Sequence, residues 1–195
     1  MPLIDLTFAI SATSLSADTT FRLMQNTINK IVFDYDIFRI HYSVIVFGSV
    51  VTTTIDFSTS IPNKANLIHR VARLQRLDGP VRLHLALEDA MRVYRLQEVR
   101  PEARRFLVVI MDNESTDNVD SVTRAVTDLD SQDVVVIGVS IGNSTNPNDF
   151  EIITKGPPHI ITAGVNKSSA ELAEEIIDAI FISIESKSFF SSASL

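Results

Sequence analysis

The sequence predicts an α/β fold: a doubly wound, mainly parallel six-stranded sheet with one antiparallel edge strand and helices on both faces. Three observations predict it. Segments rich in β-branched and aromatic residues alternate with segments of helical periodicity along the whole chain. Most strand segments are apolar on both faces, as strands covered on two sides must be. Only residues 38–57 place two strand segments in succession across a short turn, which marks the single antiparallel neighbour. Right-handed crossovers between the parallel strands then give a Rossmann-like arrangement, whose ligand crevice lies beyond the carboxyl ends of the strands.

Leu3 to Ile10 is a compact apolar run and reads as the first, central strand. Ser14, Ser16 and Asp18 offer caps for a helix whose apolar positions Phe21, Met24, Ile28, Ile31 and Val32 recur at helical spacing. Phe38 to Phe47 alternates at first and then turns wholly apolar; Gly48 ends it, and V-V-T-T-T-I-D-F follows as the antiparallel partner. Ala65 to Leu74 and Val81 to Leu96 read as two helices, the second with Leu83, Leu87, Ala90, Met91 and Tyr94 on one face. Phe106 to Met111 is a buried strand that ends at D-N-E-S-T-D, with a helix from about Asp117 to Leu129 after it. Val134 to Ile141 is another central strand, and Pro147 to Ile153 a short helix entered through N-P-N-D. His159 to Ala163 closes the sheet, and Ser168 or Ser169 caps a last helix carrying Leu172, Ile176, Ile177, Ile180 and Ile184.

With 195 residues and 45% hydrophobic content the chain can bury one sizeable core, so a single domain over 1–186 is expected, followed by a Ser-rich tail at 187–195. Cysteine is absent, which excludes disulfides, thiolate zinc sites and a cysteine nucleophile. The net charge of −7 argues against nucleic-acid partners, and Arg100, Arg104 and Arg105 read as solvated surface rather than a basic patch. No apolar run is long enough for membrane insertion, and no signal-type segment begins at Met1, so a secreted parent would carry this chain as an internal domain. A first turn without glycine, S-A-T-S-L-S, argues against nucleotide phosphates.

Five phrases carry a resemblance over nearly the whole chain: I-D-L-T-F-A-I-S (4–11), I-H-Y-S-V-I-V-F-G (40–48), L-H-L-A-L-E-D-A (83–90), V-R-P-E-A-R-R-F-L-V-V-I-M-D-N-E-S (99–115) and V-V-V-I-G-V-S-I-G (134–142). In order and content the sequence resembles the von Willebrand factor type A domain. That resemblance implies a metal-ion-dependent adhesion site built from D-x-S-x-S after the first strand, a Thr in the second loop and an Asp after the fourth strand. Counted from Asp5, the first three positions fall on Ser11, Thr13 and Leu15; the second-loop Thr corresponds to Val81, and Asp112 alone remains as a charged ligand. Shifting the frame by one leaves Ala12, Ser14 and Ser16. Hard cations need several oxygen ligands, commonly with one or two carboxylates. Ser11, Thr13 and Asp112 therefore form at most a weak Mg²⁺ or Ca²⁺ site, with Glu114 as a substitute carboxylate, and no resident cofactor is expected.

Other chemistry has little support. His41, His69, His84 and His159 are dispersed without a metal-binding spacing, G-x-S-x-G is missing, and the pairs Glu88-Asp89 and Glu174-Glu175 read as solvated helix faces. D-N-E-S-T-D serves either as a binding loop or as a helix cap through Ser115 or Thr116. The expectation is a non-enzymatic adhesion or matrix-assembly module, extracellular, with a protein ligand, matrix or collagen-like, engaged at a face carrying Ser11, Thr13, Ser14, Asp112 and Glu114. The alternative is a structural domain of a larger protein, intracellular or not, with a silent loop face.

Overall fold

The computed structural model describes residues 2–13, 16–59, 61, 63–96, 98–154 and 156–192, with side chains to residue 186. Its elements follow the predicted order: β1 (Ile4–Ser11), α1 (Asp18–Asp34), β2 (Ile40–Phe47), β3 (Val51–Ile55), α2 (Lys64–Ala72), α3 (Leu83–Tyr94), β4 (Arg104–Met111), α4 (Val119–Asp130), β5 (Val134–Ile141), α5 (Pro147–Thr154), β6 (Ile160–Ala163) and α6 (Ser169–Ser192). The sheet order is β3-β2-β1-β4-β5-β6, parallel except for β3 beside β2. Winding reverses between β1 and β4, so the loops after these two strands diverge and open the crevice at the carboxyl end of the sheet.

Two apolar layers hold the sheet. Ile4, Leu6, Phe8 and Ile10 of β1 face a core shared with α1, α2 and α6, where Met24, Ile28, Val71, Leu172 and Ile176 are buried. Ala9, Ile45, Leu107 and Val109 face the second core, with Leu87, Met91, Val122, Leu129 and Phe150 from α3, α4 and α5. Burial on both faces is why the central strands lack the alternation of a half-exposed sheet.

Several local expectations need correction. Ser16 does not cap α1: the N-cap position is Ala17, with no side-chain cap bond, because the Ser16 hydroxyl is used elsewhere. Neither Ser115 nor Thr116 caps α4; Asn118 does, accepting from Ser121 N–H at 2.8 Å. The last helix has a reciprocal cap, in which Ser168 N–H donates to Glu171 Oε2 (3.0 Å) and Glu171 N–H to Ser168 Oγ (3.2 Å). Asp89 is not a solvated helix acid. It accepts from Arg92 Nε at 2.7 Å and from the Thr53 hydroxyl, tying α3 to the edge strand.

Arg100 is the largest departure. It is not loose surface: its Nε donates to Asp5 Oδ1 (2.9 Å), its backbone N–H to Asp5 Oδ2 (2.9 Å), and its Nη2 to the Ile4 carbonyl (2.6 Å). Asp5 is fully buried in the central strand, so its charge is held inside the protein by this one guanidinium.

At the same end of the sheet, His159 Nε2 lies 2.8 Å from Ser183 Oγ of α6. Ser183 already donates its proton to Ala179 O (2.7 Å), so Nε2 is the donor to the Ser183 hydroxyl. Burial lowers the pKa of His159; burial, then the nearby Arg100 charge, lowers that of His41 against the opposing pull of Asp5. A histidine whose folded-state pKa lies below its unfolded value contributes stability above about 6.5 and loses it as pH falls through the folded value. The melting temperature is therefore expected to fall between pH 7 and 5, and less steeply in His159→Gln. An identical pH slope in that variant would remove His159 from the account.

Candidate functional site

Three loops meet at the carboxyl end of the sheet, those after β1, before α3 and after β4. Asp112, immediately after β4, is 8% exposed and points into the crest between the first and third. Its Oδ1 accepts from Ser16 Oγ (2.8 Å), Ser11 Oγ (3.0 Å) and Asn113 Nδ2 (3.1 Å), and its backbone N–H reaches Ser11 Oγ at 3.4 Å. Thr13 is fully buried in the same loop. Of the sequence candidates, then, the structure joins Ser11 to Asp112 directly. Ser14 lies outside the described residues. Glu114 is exposed in the loop after β4, outside the hydrogen bonds around Asp112, and its charge is one of those acting on Asp149.

The second and third loops are pinned together without a metal. Val81 and Ser115 form an isolated parallel bridge, with Thr116 N–H donating to Val81 O at 3.0 Å and the Thr116 hydroxyl to the same carbonyl at 3.2 Å. The Val81 side chain is 1% exposed and belongs to the apolar core. Beneath it, the side chain of Asp117 is 3% exposed and bridges both loops. Its Oδ2 accepts from His84 N–H (2.8 Å) and Ser115 Oγ (3.1 Å), and its Oδ1 lies 3.2 Å from Arg82 Nε and 2.7 Å from His84 Nδ1. Asp149 of α5 receives Ser115 N–H at 3.1 Å. Burial raises the pKa of Asp149, the Ser115 N–H opposes it, and the neighbouring charges of Asp117 and Glu114 raise it further.

Sequence reasoning gives Ser16 only as a helix cap or in the shifted frame, Asn113 and Asp117 only within the D-N-E-S-T-D cluster, and Asp149 only as part of a helix entry. N-P-N-D and D-N-E-S-T-D each held the right residues, but only the sheet order sets the end of β4 beside the start of α5. That order was the missing signal.

A cation that the resemblance implies fits this donor set poorly. The three neutral donors around Asp112 spend their protons on its carboxylate, and the second loop contributes a core valine with no oxygen to offer. Among the described residues, no group of three His, Asp or Glu side chains is placed to hold a metal ion. Likewise, no described helix is long and apolar enough to cross a membrane.

Solved structures of low sequence identity share the architecture. The proximal thread matrix protein 1 of the mussel byssus, with a zinc-occupied MIDAS motif, superposes with a TM-score of 0.77 at 16% identity, over 93% of this chain and 46% of that one. The chain therefore spans less than half of the mussel protein's length. The manganese-loaded TRAP protein of Plasmodium vivax gives 0.70 at 15% identity, covering 89% and 73%. BatB of Bacteroides thetaiotaomicron gives 0.67 at 14%, covering 91% and 98%. These likenesses concern the fold. The family model of the von Willebrand factor type A domain matches residues 5–178, with all six strands and five of the six helices wholly inside or within one residue of that span, and on this match the chain belongs to the von Willebrand factor type A domain family.

Proposed function

We propose that this chain is a non-enzymatic, extracellular protein-binding module, of the adhesion or matrix-assembly kind, that engages its partner at the crest of Ser11, Thr13, Ser14, Asp112 and Glu114 by shape and hydrogen bonding rather than through a resident divalent ion. One observation carries the reading: Asp112 Oδ1 is already surrounded by Ser11, Ser16 and Asn113, so the carboxylate needs no cation to be satisfied in the folded protein. The matrix role of the mussel relative supports the partner class. The exposed carboxylate of Glu114 on a loop beyond the sheet supports direct recognition.

The test is solid-phase binding of the chain to a panel of matrix proteins, collagen included, with and without EDTA, beside the exposed-loop variant Glu114→Arg. Binding is expected to persist in EDTA and to weaken in the variant. Binding abolished by EDTA, or indifferent to Glu114, overturns the reading. In parallel, calorimetric titration with Mg²⁺, Mn²⁺ and Ca²⁺ is expected to give no saturable heat and no shift in melting temperature. A stoichiometric heat that disappears in Asp112→Ala would restore the metal site.

A further inference from the structure

We infer that the partner presents an acidic segment, received in a groove between α1 and α2 that borders the loop crest. The inference rests on the reading above for the position of the partner, and on charge for its chemistry.

Residues 64–82 carry five of the 17 Lys and Arg residues (Lys64, Arg70, Arg73, Arg76, Arg82) and one of the 24 Asp and Glu residues, Asp78. A chain of formal charge −7 thus concentrates an excess of four positive charges in one helix and the loop after it. Three of the five are engaged. Lys64 Nζ donates to Phe33 O at 2.9 Å, Arg82 pairs with Asp117, and Arg76 pairs with Asp18 at 2.7 Å while donating to Ser16 O at 2.6 Å. Arg70 and Arg73 are exposed at the end of α2, and neither has an acidic partner among the described residues. The same holds for Arg22, on α1 across the groove.

The negative end of the α2 dipole makes this clustering tolerable in the free protein, but dipole compensation does not require a third guanidinium on a different helix. Arg22 lines a cavity of about 280 Å³ together with Phe21, Gln25, Leu74, Gln75 and Arg76. The acid in its lining, Asp18, is already paired with Arg76. The groove is continuous with the crest: Arg76 holds the Ser16 carbonyl, and Leu77 N–H donates to Ala12 O. Phe21 and Leu74 close the groove from beneath, and the Gln25 amide is taken up by the Val71 and Leu74 carbonyls. What the groove offers a ligand is therefore the Arg22 and Arg76 guanidinium groups and the exposed Gln75 amide, with Arg70 and Arg73 nearby at the end of α2. These suit a chain of carboxylates. The proposed protein-binding role makes the anionic ligand a peptide rather than a sulfated glycan. In this geometry the positive charge facing an acidic ligand comes from side chains beside the loops.

The test uses the full chain and labelled poly-L-glutamate at low salt, followed by fluorescence anisotropy. Binding is expected to weaken steeply with added salt and to fall roughly tenfold in the combined variant Arg22→Gln, Arg70→Gln, Arg73→Gln, while Arg124→Gln on α4 leaves it unchanged. No binding, or equal binding by the combined variant, overturns the inference; heparin bound more tightly than poly-L-glutamate overturns the protein class of partner. Circular dichroism confirms that the combined variant folds. Matrix-protein binding by Glu114→Arg separates the two readings: if it is undiminished while poly-L-glutamate binding still depends on the arginines, the crest assignment fails and the groove stands.

Discussion

Replacing Arg100 by Ala is expected to cost about 3–5 kcal/mol of stability, because it leaves the carboxylate of Asp5 buried in the central strand without its counter-charge. For a domain of this length that corresponds to a fall in melting temperature of roughly 6–20 °C. The side chain of Arg100 is itself only 15% exposed, so water cannot simply replace the guanidinium, and the Ile4 and Arg39 carbonyls lose a donor at the same time. Removing both charges should be milder than removing one: in Asp5→Asn with Arg100→Met the buried site holds a neutral amide, and the two changes together should cost less than the sum of the singles. Urea unfolding of the wild type, Asp5→Asn, Arg100→Met and their combination, with Arg100→Ala alongside, measures this. A single Arg100→Ala variant within 1 kcal/mol of the wild type, roughly the worth of an exposed pair, would show that Asp5 reaches solvent in solution.

The same residue shows where sequence reading succeeds and where it stops. Strand and helix order was legible because each element advertises its own burial: apolar on both faces for Ile4–Ser11 and Val134–Ile141, and a 3.6-residue period for Leu83–Tyr94. Those signals are local. Arg100 and Asp5 are 95 residues apart, and nothing around Arg100 distinguishes it from the exposed Arg104 just along the chain. At the crest the case is similar. Asp112 was readable because it follows a strand; Ser11 was readable by counting along the family pattern. Ser16, in contrast, sits where a helix cap belongs, and only the 2.8 Å bond to Asp112 assigns it to the site. Hydroxyls near helix starts serve caps and sites with equal chemistry, so composition alone cannot divide them.

Phe150→Ala should be comparably damaging, about 3–5 kcal/mol, since α5 has only eight residues and Phe150, 1% exposed, is its principal anchor on the sheet. The ring lies against Gly138 of β5, where an added Cβ would stand 2.6 Å from Phe150 Cδ1 and 3.0 Å from Thr154 Cγ2. Gly138→Ala alone is therefore expected to lose about 1–3 kcal/mol by forcing α5 away from the strand. With Phe150 reduced to alanine the main obstruction is gone, and the new methyl fills part of the space the ring vacated. The double variant should thus be more stable than the two separate losses add up to, and no less stable than Phe150→Ala alone. The effect reaches the candidate site because Asp149, next in sequence, holds the Ser115 amide of the β4 loop. Hydrogen exchange at that amide should quicken in either single variant as α5 shifts. Strictly additive losses in denaturant unfolding, with the Ser115 amide undisturbed, would show that α5 is seated by contacts other than this ring on this glycine.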